Sequence, residues 1–210
     1  MSKVLLFQGD SITDAGRSYD AANPVNAGLG TGYALMTAAE LLAAEPEKDW
    51  QIYNRGISGN RIVDLYARWK IDALNLRPDI LSILIGVNDT GHEKVRQNGV
   101  EVQRYEMIYR MLLQWTKETL PDVKLVMMEP FVRVFGSVEA DWVADIDARR
   151  AVVKKLAGEF DAVFLPLQEI FDEACKIAPQ TYWLRDGVHP TAAGHKLITD
   201  AWLKATANIR

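Results

Sequence analysis

Short apolar runs alternate along the chain with longer stretches in which apolar residues recur every three or four positions. The runs are KVLLFQ (3–8), WQIYN (50–54), DILSILIG (79–86), VKLVMME (123–129) and AVFLPL (162–167). Each is apolar at nearly every position, which is how strands read when both faces of a parallel sheet are covered. Between them the spacing predicts helices. Ile62, Tyr66, Trp69, Ala73 and Leu76 mark one over 62–76; Ile108, Met111, Leu112 and Trp115 mark another over 107–115. Further helices are expected over 33–44, 141–158 and 168–177. A last one spans about 192–207, with Leu197, Ile198, Ala201, Trp202 and Ala205 as its apolar stripe and Thr191 as its N-cap. Strands alternating with helices predict an α/β fold. The expected architecture is a three-layer αβα sandwich around a five-stranded parallel sheet, with right-handed crossovers and the flavodoxin-like order 2-1-3-4-5. The 210 residues are expected to form a single domain.

That topology says where to look for chemistry. Open parallel sheets bind ligands beyond the C-terminal ends of their strands, near the switch point of the strand order. GDSIT, with Ser11, follows the first strand. RGISGNR, with Gly56 and Gly59, follows the second. GVND, with Asn88 and Asp89, follows the third, and WLRDGVHP, with Asp186 and His189, precedes the last helix. In the expected order the first three strands are neighbours, so their loops share one crevice.

Ser11 taken alone reads equally as a helix cap. The other blocks change that reading. A serine hydroxyl needs a general base near neutral pH, and His189 can serve. The imidazole needs an acceptor on its second nitrogen, and Asp186, three residues earlier, can reach it across a short turn. A developing oxyanion needs preorganised donors, available from the Ser11 and Gly59 N–H groups and the Asn88 side-chain amide. Tyr182, Trp183 and His92 lie close enough to these blocks in sequence to be candidate substrate contacts.

GDSIT, GISG, GVND and DGVHP, in this order, resemble the four blocks of the SGNH hydrolases, also called GDSL-type esterases. The resemblance runs from residue 5 to about residue 200, with GDSI standing where many members have GDSL. It implies Ser11, Asp186 and His189 as the triad, and Ser11, Gly59 and Asn88 as the oxyanion hole. LLFQGDSITD, GLGTGY, NRGISGN, ARW and VHPTAAGH are similar more narrowly to the small intracellular acetylxylan esterases of that superfamily. This implies a serine esterase acting on an O-acetylated carbohydrate such as a xylo-oligosaccharide, without metal or organic cofactor, in a homo-oligomer. Two alternatives stay beside it. One is a lysophospholipase or thioesterase of the same superfamily. The other is a non-catalytic α/β module for phosphate or nucleotide. No G-x-S-x-G elbow surrounds Ser11, which disfavours the α/β-hydrolase arrangement.

Composition narrows the partners. The chain has 24 basic and 28 acidic residues, a formal charge of −4, and no basic run, which argues against nucleic acid and anionic membranes. No window approaches the ~20 apolar residues of a membrane span, and the apolar start is too short for a signal peptide, so a cytoplasmic location is expected. The single cysteine, Cys175, reads as a small packed residue. Asp10 and Asp89 read as loop braces and Asp14 as a capping or solvated residue, not as metal ligands, and three scattered histidines lack metal-ligand spacing. His195 is expected to pack or bond locally. Residues 28–32, GLGTG, lack the phosphate-loop ending and read as a loop leading into the helix at 33. Trp142 reads either as an interface anchor or as a core contact.

Overall fold

A computed structural model describes residues 2–20 and 24–210. Its sheet has five parallel strands, β1 (Lys3–Gly9), β2 (Trp50–Asn54), β3 (Ile80–Leu84), β4 (Lys124–Met128) and β5 (Val163–Leu165). Their order is β2-β1-β3-β4-β5, as the alternation predicts. The helices are α1 (Ser11–Asp14), α2 (Tyr33–Ala44), α3 (Ile62–Asp72), α4 (Val87–Arg96), α5 (Val102–Thr119), α6 (Val143–Glu159), α7 (Leu167–Ala174), α8 (Gln180–Trp183) and α9 (Ala192–Ala205).

Alternation along each strand divides the core in two. Leu5 and Phe7 of β1, with Val126 and Met128 of β4, pack against Tyr33, Leu41, Phe171 and Trp202 from α2, α7 and α9. Leu6, Leu125 and Met127, one position out of phase, pack against Trp69, Tyr109, Leu112 and Leu156 from α3, α5 and α6. The sheet is therefore covered on both faces, which is why its strands read as unbroken apolar runs. Each fully buried large side chain contributes roughly 1.5–3 kcal/mol. The two innermost indoles also satisfy their N–H groups: Trp69 Nε1 donates to Thr116 Oγ1 at 2.9 Å, and Trp202 Nε1 to Ser82 Oγ at 3.0 Å.

Several helices differ from the periodicity at their ends. The helix expected over 62–76 stops at Asp72 and continues as a separate turn over Leu74–Leu76. The helix expected from 107 begins at Val102. The GVND block, read from sequence as the loop after β3, instead opens α4, with Gly86 at its N-cap. Trp142 is buried and stands against Gly91 of α4, so of its two readings the core contact holds. Thr191 caps α9 as expected, its hydroxyl accepting the Gly194 N–H at 3.3 Å.

Candidate active site

The central position of β1 brings the first three loops together. Phe7 pairs with Asn54 of β2, and Gly9 with Leu84 of β3. The pairing of β1 with β2 continues past the end of β2: Arg55 N–H donates to Phe7 O at 2.8 Å, and Ile57 N–H to Gly9 O at 3.0 Å. The loop carrying Gly59 is thus laid beside the turn carrying Ser11. Gly9 permits the tight exit from β1, since a Cβ there would stand 2.3 Å from Leu84 O and from Thr13 Oγ1.

Asp10, not Ser11, is the cap of α1; its carboxylate accepts the Ile12 N–H at 3.0 Å. This leaves the Ser11 hydroxyl free for another partner. Ser11 Oγ lies 2.9 Å from His189 Nε2, and His189 Nδ1 lies 2.7 Å from Asp186 Oδ2. The second carboxylate oxygen of Asp186 accepts the His189 N–H at 2.8 Å and the Val188 N–H at 3.0 Å. Burial pushes the Asp186 carboxyl up, but these bonds outweigh it and hold the group below its ordinary range. An ionised carboxylate can only accept. Nδ1 therefore carries the imidazole proton, and Nε2 is left to accept the proton of Ser11.

The segment after β4 fixes this turn from outside. Arg133 N–H donates to Gly187 O at 2.9 Å, and Ser137 donates through both N–H and Oγ to Asp186 O at 3.0 Å. Neither residue stood out in the sequence.

Gly59 is the third residue of a turn closed by Asn60 N–H to Ile57 O at 3.1 Å, and its φ of +82° is one that glycine adopts without strain. The N–H groups of Ser11 and Gly59 have no hydrogen-bond partner among the described residues. Asn88, in the first turn of α4, donates one Nδ2 hydrogen to Asn60 O at 3.1 Å and retains the other. The loop is braced from two sides. Arg68 of α3 donates to Asn60 Oδ1 and Arg55 O, both at 2.8 Å. Asp14 accepts the Ser58 N–H at 3.0 Å and the Tyr19 hydroxyl. Buried Asn54 binds Thr13 O at 2.7 Å, Leu29 O at 2.9 Å and the Gly56 N–H at 2.9 Å. Its only sequence signal is a polar residue closing an apolar strand.

Asp10 and Asp89 brace the site as expected. Burial pushes each up to about 7, against the bonds from the Ile12 and Ile62 N–H groups respectively; His189 also opposes the shift at Asp10, and Arg149 at Asp89. His195 reaches further than a local contact. Its Nδ1 accepts the Tyr33 N–H at 3.2 Å, across 162 residues, and its ring stacks on Tyr33. Burial, with the charges of Arg185 and His189, lowers its pKa to about 4, so it is neutral.

A cavity of about 440 Å³ opens beside Ser11 and His189, walled by Ile12, Thr31, Arg185, Pro190 and His195. Thr31 comes from the glycine-containing loop at 28–32. Tyr182 and Trp183 are not part of that wall. Trp183 packs on the core and donates Nε1 to Ala178 O at 3.2 Å, while Tyr182 is exposed and edge-on to it. His92 is also outside that wall, its Nε2 4.0 Å from where a Cβ on Gly59 would be. Among the described residues no cluster of three or more His, Cys, Asp or Glu side chains could hold a metal, and no helix is long and apolar enough to cross a membrane.

Known proteins share both the sequence and this architecture. The model of the GDSL-like lipase/acylhydrolase family matches residues 7–197. The chain belongs to that family. It is a carboxylic ester hydrolase. An acetylxylan esterase from Geobacillus stearothermophilus is 36% identical over 205 residues, spanning 95% of this chain and 92% of that protein. The crystal structure of an acetylxylan esterase from the same organism superposes with a TM-score of 0.87 at 34% identity, covering 97% of this chain and 93% of the other. A GDSL-like lipase-family protein from Parabacteroides merdae ATCC 43184 superposes with a TM-score of 0.95 at 44% identity, over 100% of this chain and 97% of its own. The family match spans every block from Ser11 to His189.

Proposed function

We propose that this family member is a serine esterase that removes small acyl groups, in particular O-acetyl, from a carbohydrate such as a xylo-oligosaccharide. The observation that carries the reading is the unbroken Ser11–His189–Asp186 chain, with links of 2.9 and 2.7 Å. Ser11 Oγ attacks the acyl carbonyl and its proton passes to His189 Nε2. The oxyanion is received by the Ser11 and Gly59 N–H groups and the remaining Asn88 hydrogen. As the tetrahedral intermediate collapses, the imidazolium returns the proton to the leaving sugar oxygen. Water, deprotonated by the same Nε2, then attacks the acyl-enzyme, and Ser11 is regenerated as acetate leaves.

The hydroxyl, imidazole and guanidinium groups that Thr31, His195 and Arg185 add to the cavity wall support a small acyl group on a hydroxylated alcohol. The same reading includes a cytoplasmic homo-oligomer using no cofactor. Its test is acetate release from acetylated xylo-oligosaccharide by wild type and Ser11→Ala. Wild type should release acetate and the variant should be slower by roughly 10³-fold or more. Ser11-dependent hydrolysis of p-nitrophenyl acetate without release from the sugar would keep the mechanism and discard the substrate. Hydrolysis surviving in Ser11→Ala would discard the mechanism.

A further inference from the structure

The cavity beside Ser11 and His189 contains a cation that the acyl transfer does not use, the guanidinium of Arg185. Among the described residues of that wall it is the sole arginine or lysine. Its backbone is held as firmly as the triad: Arg185 N–H donates to His189 O at 2.8 Å, beside the antiparallel bridge between Leu184 and Pro190. Its side chain is exposed and has no hydrogen bond or ion pair with any described residue. Other arginines of this chain are paired with acids, as in Arg61–Asp64, Arg68–Asp72 and Arg133–Asp172.

No neighbour in the cavity competes for Arg185. Both oxygens of Asp186 are engaged by His189 and Val188. His195 is neutral and its Nδ1 is occupied by the Tyr33 N–H. The Thr31 hydroxyl donates to Ala15 O at 3.0 Å. The wall thus offers one fixed-charge, planar donor fork, one residue from the triad acid, with no acceptor among the described residues to fill it. That geometry matches a carboxylate, which a guanidinium binds through two parallel N–H donors.

We propose that Arg185 is a specificity-determining residue that receives a substrate carboxylate, so that the preferred substrates are acetylated oligosaccharides bearing a uronic acid. This rests on the esterase reading above. The experiment follows acetate release from a mono-O-acetylated xylo-oligosaccharide with one uronic acid branch, and from the same compound with that carboxylate methyl-esterified. The readout is the ratio of the two kcat/KM values within each variant, which cancels any general loss of activity. Wild type should favour the free acid by about tenfold, declining at high salt because the group is exposed. Arg185→Gln should bring the ratio to about one, Arg185→Lys should retain part of it, and Arg185→Glu should invert it. A wild-type ratio near one, or an unchanged ratio in Arg185→Gln, overturns the proposal while leaving the esterase intact. Failure of wild type to hydrolyse either compound or p-nitrophenyl acetate overturns both.

Discussion

Asn88 has one amide hydrogen committed to Asn60 O and one left over, and that remainder decides what its removal should do. A donor aimed at charge that appears only in the transition state contributes roughly 2.7–4 kcal/mol to the barrier and almost nothing to ground-state binding. Asn88→Ala should therefore lower kcat by about 10²–10³-fold while KM stays within a few-fold. Steady-state kinetics on p-nitrophenyl acetate separate this from a binding role, in which KM would rise at constant kcat. The placement of such residues was legible because each belongs to a local block: Ser11, Asn88, Asp186 and His189 each sit in a short motif at a strand end or before the last helix. What was not legible at this scale depends on distant partners. The cap of α1 falls to Asp10 and not to Ser11 because backbone conformation, invisible in the letters, decides which polar side chain turns back. The bond from Tyr33 to His195 spans 162 positions. Trp183 is aromatic and close to Asp186 in sequence, but its indole serves packing.

Among the elements, α4 shows most clearly where pattern reading stops. The β3 run is buried at all five positions and declares itself as a strand. By contrast α4 opens with VNDTGH, a stretch of poor helix formers with few apolar residues. It is held by tertiary contacts: Asp89 accepts the Ile62 N–H at 3.1 Å, Thr90 bonds to Arg149 at 3.0 Å, and Gly91 lies under the Trp142 ring. The last contact gives a test in which two effects oppose. Replacing a mid-helix glycine by alanine favours the helix by about 1 kcal/mol. Here the new Cβ would stand 2.9 Å from Trp142 Cη2, on a rigid ring that is itself buried. Overpacking of that sort costs about 1–3 kcal/mol. Gly91→Ala should therefore be net destabilising, lowering the melting temperature by a few degrees, and should reduce kcat because α4 carries Asn88. Calorimetry of Gly91→Ala, alone and with Trp142→Phe, checks the cause: the smaller ring should recover part of the loss. A higher melting temperature in the single variant would mean that helix propensity wins and α4 is not clamped as described.

Across the whole molecule, the two faces of the sheet hold buried groups whose ionisation pulls stability in opposite directions. On the α2–α9 side, His195 is lowered from 6.5 to about 4. Between those values the unfolded chain binds the extra proton, so this contribution is complete above pH 6.5 and is lost as pH falls toward 4, an amount on the order of 3 kcal/mol. Beside the α3–α6 layer, Asp89 is raised from 3.8 to about 7. There the native state binds the extra proton, so the contribution is complete below pH 3.8 and is lost as pH rises toward 7, on the order of 4 kcal/mol. Asparagine can replace either group and keep an acceptor for the backbone N–H each one receives. Relative to wild type, His195→Asn should gain stability as pH is lowered from 7.5 to 4.5, and Asp89→Asn should gain as pH is raised over the same interval. Urea unfolding at the two pH values measures both slopes, which do not depend on what either substitution does to stability at a single pH. Parallel curves for His195→Asn and wild type would show that the imidazole titrates alike in folded and unfolded chains. The ring bordering the Arg185 cavity would then become a second cation beside the substrate as pH falls below 6.5.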